Sequence, residues 1–182
     1  MVLEATLMFE RSIKIKLSAS EMSDCRQAAN FRWQLSRMSG MVNQKVDESR
    51  TEDVVEMLGV KAELAVAKCL DIPHFFQPGF DDGSDMYLGD ISIDVKATFH
   101  ASGQLLFRTA EHFKANCAVL VTSTEADDVM LLAGWLPRKQ FLVCAAEVDL
   151  GRGLTLACKQ DELLPMSELW HADQKRKFTK SN

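Results

Sequence analysis

The stretch from Asp82 to Thr98, reading DGSDMYLGDISIDVKAT, constrains the fold of this chain more than any other. Two alternating runs, Asp85–Leu88 and Ile91–Thr98, flank Gly89-Asp90, which is the pattern of a β-hairpin closed by a two-residue turn. Glycine in the first turn position suits a type II′ turn, where that residue takes a positive φ. The register then follows. Leu88 faces Ile91, Tyr87 faces Ser92, Met86 faces Ile93, and Asp85 faces Asp94. Ile91, Ile93 and Val95 share one side of their strand, and Asp94 and Lys96 share the other.

This register sets two carboxylates opposite each other with Cβ atoms about 5 Å apart, a repulsive arrangement unless something offsets it. A divalent cation between Asp85 and Asp94 would do so, and carboxylate oxygens are the ligands Mg²⁺ prefers. With the Lys96 ammonium alongside, the expected constellation suits the stabilisation of charge developing on a phosphorus centre. Asp81 and Asp82 compete for the place of first acid, but both lie beyond the paired stretch.

The order Asp85 … Asp94-Val95-Lys96 resembles the PD-(D/E)xK nuclease superfamily, with Glu63 in Gly59–Leu70 matching the glutamate on its preceding helix. The resemblance spans residues 50–136, and the ordered set is far more specific than Asp-x-Lys alone. No proline precedes Asp85, a departure from the superfamily's name motif. The fold it implies is a three-layer α/β/α sandwich with a mixed central sheet, restriction-endonuclease-like. The activity it implies is hydrolysis of DNA phosphodiester bonds by metal-activated water, with Mg²⁺ as cofactor and Mn²⁺ as substitute. Asp85, Asp94, Glu63 and the Val95 carbonyl would be ligands, and Lys96 would position water and stabilise the transition state.

A chain of 182 residues accommodates one ordinary domain. It reads as an N-terminal strand and helix (1–48), a catalytic core (50–145) and a basic tail (171–182). The hydrophobic and charged fractions, 47% and 26%, are those of a globular protein, and no apolar run is long enough to span a membrane. Glu4, Glu10 and Arg11 interrupt what would otherwise resemble a leader. The five scattered cysteines lack Cys-x-x-Cys spacing, which argues against a zinc site and for reduced thiols. A cytoplasmic setting is expected, the host cytoplasm if the chain is phage-encoded. The net charge of −5 argues against a non-specific coat on DNA and leaves room for a small footprint at the site.

In chain order, Ile13–Leu17 reads as a strand. Ser18-Ala-Ser-Glu21 is a capping box opening a helix that reaches about Met38 and stops at Gly40. Arg26, Asn30, Trp33 and Arg37 share one face of it, either a phosphate-contacting face with an aromatic platform or a solvated basic face beside a core tryptophan. Residues 41–50 read as a connector, and Thr51 as the N-cap of a helix ending near Leu70. A strand near residues 74–77 and a turn at Asp81-Asp82 lead to the hairpin. Thr98 and His100 continue the side of Lys96 and are candidate nucleic-acid contacts. A strand over 105–107, a helical turn over 110–114, a buried strand over 117–123 and another over 129–135 follow. Pro137 fits the first position of a helix whose Arg138 and Lys139 are further candidates for DNA contact. A strand over 154–159, a helical turn after Pro165 and the basic run 175–180 complete the chain.

The partner expected is DNA, with RNA left open, and two-strand cleavage by paired sites would suit a homodimer. The competing reading is a nucleic-acid-binding or regulatory protein on the same fold with weak or absent catalysis. A third is an unrelated α+β protein in which Asp94 and Lys96 form an ordinary same-face salt bridge.

Overall fold

Cys117–Ser123 is apolar on both sides and buried along nearly its whole length, so it must be covered on both faces. The structure, a computed structural model that describes residues 12–38, 51–74, 76, 83–151 and 153–171, is layered around it. Its elements are β1 (Ile13–Lys16), α1 (Ala19–Met38), α2 (Glu52–Leu70), β2 (Met86–Leu88), β3 (Ile91–Thr98) and β4 (Leu105–Phe107). Then come β5 (Cys117–Ser123), β6 (Val129–Pro137), α3 (Arg138–Cys144), β7 (Ala146–Asp149) and β8 (Leu154–Cys158). The stop at Gly40, the connector 41–50, the turn at Asp81-Asp82, the basic run 175–180 and residues 75 and 77 of the strand expected near 74–77 lie outside the described residues. His74 and Phe76, which are described, are in irregular chain rather than a strand.

The chain is a mixed α/β protein. Its five-stranded sheet has the order β1-β6-β5-β3-β2, with β3 parallel to β5 and the other pairs antiparallel. A second, antiparallel sheet has the order β4-β8-β7. Alternation divides the apolar residues between two cores. Ile91, Ile93, Val119 and Val121 face α1 and α2. Ala118 and Leu120 face Leu105 and Phe107 of β4 and Phe141 of α3. The face away from α1 and α2 is therefore covered by a small sheet and one short helix, rather than by the helical layer expected. The crossover from β3 to β5 likewise carries β4 and a turn at residues 110–112 instead of a helical link.

The capping box is formed as the sequence indicates: the Ser18 N–H donates to Glu21 at 2.6 Å and the Glu21 N–H to Ser18 Oγ at 3.2 Å. Lys68 of α2 reaches back to Glu21 at 2.8 Å and to the Lys16 carbonyl at 3.0 Å, fastening the two helices to β1. Thr51 occupies the N-cap of α2, but its side chain makes no capping bond; its carbonyl accepts from the Val55 N–H at 3.3 Å. Pro137 is the N-cap of α3 rather than its first residue, since φ −65° and ψ 145° leave it extended.

Opposite β5, β6 carries one extra residue. The register passes from Leu120↔Gly134 to Val121↔Leu132, so Ala133 is left over and the alternation is rephased. Met130 and Leu132 face the helices before the bulge, and Trp135 does so after it. Gly134 sits there with φ 147°, and a Cβ would come within 2.7 Å of the Leu164 carbonyl oxygen. Only glycine lets the C-terminal segment cross β6 this closely, in the backbone bridge between Trp135 and Leu164.

Candidate active site

The hairpin has the expected register over Leu88↔Ile91, Tyr87↔Ser92 and Met86↔Ile93. Gly89 has φ 59° and Asp90 has no positive φ, which fits a type II′ turn. Pairing of β2 stops at Met86, one residue before the expected Asp85–Asp94 pair. Asp85 instead donates its N–H to the Ile93 carbonyl at 2.8 Å and accepts the Val95 N–H on its Oδ2 at 2.6 Å. Its carboxylate thus stands in for the carbonyl a longer β2 would have supplied. This corrects the face-to-face geometry read from the sequence. Asp85 lies along the edge of β3, beside Val95, and not across the pleat from Asp94. The Val95 carbonyl points to the same edge, because the N–H and C=O of a strand residue point the same way.

Asp94 and Lys96 project from the face of β3 turned toward the small sheet. Asp94 is 5% exposed, and its Oδ1 lies 2.6 Å from the Lys96 ammonium. The same ammonium sits 4.9 Å above the ring of Phe107 on β4, a cation–π contact that fixes the other side of the lysine head. The small sheet thereby helps to aim Lys96.

Glu63 comes from α2 and is also buried. Both its oxygens are taken by Arg32 of α1, through a bidentate pair of hydrogen bonds at 2.6 and 2.7 Å. These bonds hold the guanidinium above its ordinary pKa. His74 Nε2 lies 3.9 Å from Glu63 and is buried with no hydrogen-bond partner. Burial, with help from the Arg32 charge, lowers His74 to about 4, so the ring is neutral near pH 7 and makes no true salt bridge. Asp85 stands in the field of both groups. Burial of its carboxyl raises it to about 6, the Glu63 charge adds to the rise, and the Val95 N–H, Lys96 and Arg32 oppose it. The residue as a whole is exposed, but its carboxyl group is turned inward onto β3.

Among the described residues no cluster of three or more His, Cys, Asp or Glu side chains is placed to hold a metal ion. The three-carboxylate set expected from Glu63, Asp85 and Asp94 is therefore not assembled. The physical reason is Arg32, which satisfies both Glu63 oxygens. Asp85 holds the Val95 N–H, on the edge to which the Val95 carbonyl also points, and Asp94 is the residue before Val95 in the strand. Mg²⁺ is commonly held by one or two carboxylates, completing its shell with water and substrate phosphate, so the donor set fits such a two-carboxylate site.

The expected nucleic-acid contacts scatter. Arg26 and Asn30 line a cleft of about 370 Å³ with Asp53, Lys61, Phe99 and Asp127, and none of Glu63, Asp85, Asp94 or Lys96 lines it. Lys61 is buried there against Asp127 at 2.6 Å. Arg37 lies 4.4 Å over the ring of Trp33, so that pair serves each other. Thr98 Oγ1 accepts the His100 N–H at 3.2 Å, and His100 is exposed. Arg138 does not reach outward. Its guanidinium donates to the carbonyls of Phe113 and of Ala110, the latter at 3.2 Å, and pins the turn before β5. Lys139 is exposed.

No family model, curated protein or solved structure matches this chain. No described helix is long and apolar enough to cross a membrane.

Sequence reading missed Arg32 and His74. Arg32 was detectable: it falls on the stripe of Cys25, Ala28 and Ala29, the buried residues of α1. An arginine on an apolar stripe requires a buried acid, and Glu63 is the acid on the matching stripe of α2. His74 lies in irregular chain just after α2, where no periodicity marks it.

Proposed function

We propose that this chain is a metal-dependent nuclease of the PD-(D/E)xK type, on a restriction-endonuclease-like fold, that hydrolyses phosphodiester bonds of DNA. One observation supports the reading: Asp85 accepts the Val95 N–H at 2.6 Å, and Asp94 and Lys96, the residues on either side of Val95 in the chain, lie 2.6 Å apart. Asp85 and Asp94 would hold Mg²⁺, with the Val95 carbonyl as the neighbouring backbone donor. The bound ion would supply Lewis-acid polarisation and a lowered water pKa. Lys96, held between Asp94 and the Phe107 ring, orients water and places a positive charge where the phosphorus centre becomes more negative. Arg32 keeps Glu63 neutralised beneath the site, so Glu63 supports the helix rather than the donor set.

A second reading has its own support. Because Arg32 occupies Glu63, the acidic set is one carboxylate short, which favours a nucleic-acid-binding or regulatory protein with weak or no catalysis. Cleavage of labelled duplex, single-stranded, flapped and four-way-junction DNA, and of one RNA, in Mg²⁺, Mn²⁺ and EDTA separates the two. The nuclease reading expects metal-dependent cutting that Lys96→Ala and Asp94→Asn each reduce by at least about a hundredfold. Binding without cutting, with no rise in melting temperature on adding Mg²⁺, would leave the second reading standing.

A further inference from the structure

We propose that Cys144 and Cys158 form an oxidisable dithiol, which a hydroperoxide closes into an intramolecular disulfide. The two sulfurs lie 2.8 Å apart, within about 1 Å of the S–S bond length of about 2.05 Å. Both thiols also converge on one acceptor, the Phe141 carbonyl, at 3.7 and 3.8 Å. The backbone independently sets this spacing. Ala146 pairs with Ala157 in the small sheet, so Cys158 is the next residue outward on β8, and Cys144 ends the helix that leads into β7. The other cysteines do not compete: Cys25, Cys69 and Cys117 belong to the core on the opposite face of the main sheet.

The asymmetry of the pair assigns the order of events. Cys158 is buried, and burial together with the adjacent Cys144 thiol pushes its pKa well up, so it is a poor thiolate. Cys144 is half-buried at the C-terminal end of α3 and meets the oxidant first. Its sulfur attacks the O–O bond of the hydroperoxide, giving a sulfenic acid and releasing the alcohol, or water from hydrogen peroxide. The Cys158 sulfur then attacks the Cys144 sulfur, the S–S bond forms as the S–O bond breaks, and the hydroxyl leaves as water with the Cys158 proton. One two-electron oxidation is thereby balanced. The cross-link ties the end of α3 to β8 across the β7–β8 hairpin, and it stiffens the sheet whose β4 neighbour carries Phe107. The inference does not depend on the proposed activity.

The test uses the full chain, treated with graded hydrogen peroxide, then alkylated, digested and mapped by mass spectrometry. The expected result is a linked peptide pair containing Cys144 and Cys158, with no covalent dimer. Melting temperature should rise by roughly 5 °C on oxidation and return on adding a thiol reductant. Cys144→Ser abolishes the linked pair and the shift, and Cys69→Ser leaves both in place. Recovery of Cys144 and Cys158 as separate alkylated peptides would overturn the proposal. So would accumulation of Cys144 as sulfinic acid beside an alkylated Cys158, or linkage between chains. The peptide map of the unmutated protein decides the matter even if a variant folds poorly.

Discussion

Arg32 and Glu63, between the helices, are joined by two hydrogen bonds of 2.6 and 2.7 Å, and both charges are consumed by the pairing. Asp94 and Lys96, on the far face of β3, share a single close approach, and the lysine side chain is 40% exposed. The first pair is shut inside and geometrically complete, so it holds the fold. The second keeps a charged head partly in contact with solvent. Asp85 lies at the edge between them and feels both. A residue's chemical type is thus a poorer guide to its role than how far its partners and its burial enclose it.

The largest effect expected comes from breaking the enclosed pair. Arg32→Ala leaves the Glu63 carboxylate buried without its partner, and unfolding in urea should show a loss of about 3–5 kcal/mol. The double replacement Arg32→Met with Glu63→Leu removes both charges and should restore most of that loss. If Arg32→Ala costs no more than Lys96→Ala, the contrast between the two faces fails.

His74 gives the next largest effect, through pH. The unfolded imidazole takes up a proton near 6.5, whereas the buried ring does so only near 4. As pH falls between those values the unfolded state binds the extra proton, so stability is intact above about 6.5 and drains away toward 4. The full loss is at most on the order of 3 kcal/mol. Urea midpoints measured from pH 7.5 to pH 4 should fall more steeply for the natural sequence than for His74→Leu. Equal slopes would show that the ring is solvated.

Lys96→Ala should cost about 1–3 kcal/mol. That is less than Arg32→Ala, because the lysine side chain is 40% exposed and one close contact is lost rather than two, but more than a surface pair, because Asp94 is buried. The same substitution should abolish metal-dependent cleavage if the nuclease reading holds. A variant that stays folded and is wholly inactive would sharpen the contrast. One that merely melts early would make Lys96 a structural residue like Arg32.

What the sequence made legible follows from how local each signal is. The hairpin register, the capping box and the buried run of β5 each depend on neighbours a few residues apart, and each is present in the structure. The Asp94–Lys96 proximity follows from strand alternation alone. The small sheet was hidden because β7, Ala146–Asp149, is short and largely exposed, and carries little apolar alternation. The Asp85 geometry was hidden because extending a ladder by one pair assumes the strand continues. Here the side chain ends it by bonding to Val95. Arg32 shows the remaining gap: reading each helix by itself marks a charge on an apolar stripe, and only the packing of two helices supplies its partner.

Asp85→Asn should give the smallest change, and its sign is informative. Burial raises the carboxyl to about 6, so the native state prefers it protonated, and stability falls as pH rises from about 4 through 6. Asparagine keeps an acceptor for the Val95 N–H and removes the charge. At pH 7.5 the variant should therefore be slightly more stable, by less than about 1 kcal/mol once solvent screening of this exposed residue is allowed for. The gain should vanish below about pH 4, where both the native and the unfolded Asp85 are neutral. Mg²⁺ offers the parent the same relief by another route, neutralising the carboxylate without replacing it. Added Mg²⁺ should raise the melting temperature of the parent and leave Asp85→Asn unmoved. If asparagine instead destabilises the fold at pH 7.5, the negative charge on Asp85 already has a resident counter-charge, and a cation has no reason to bind beside Val95.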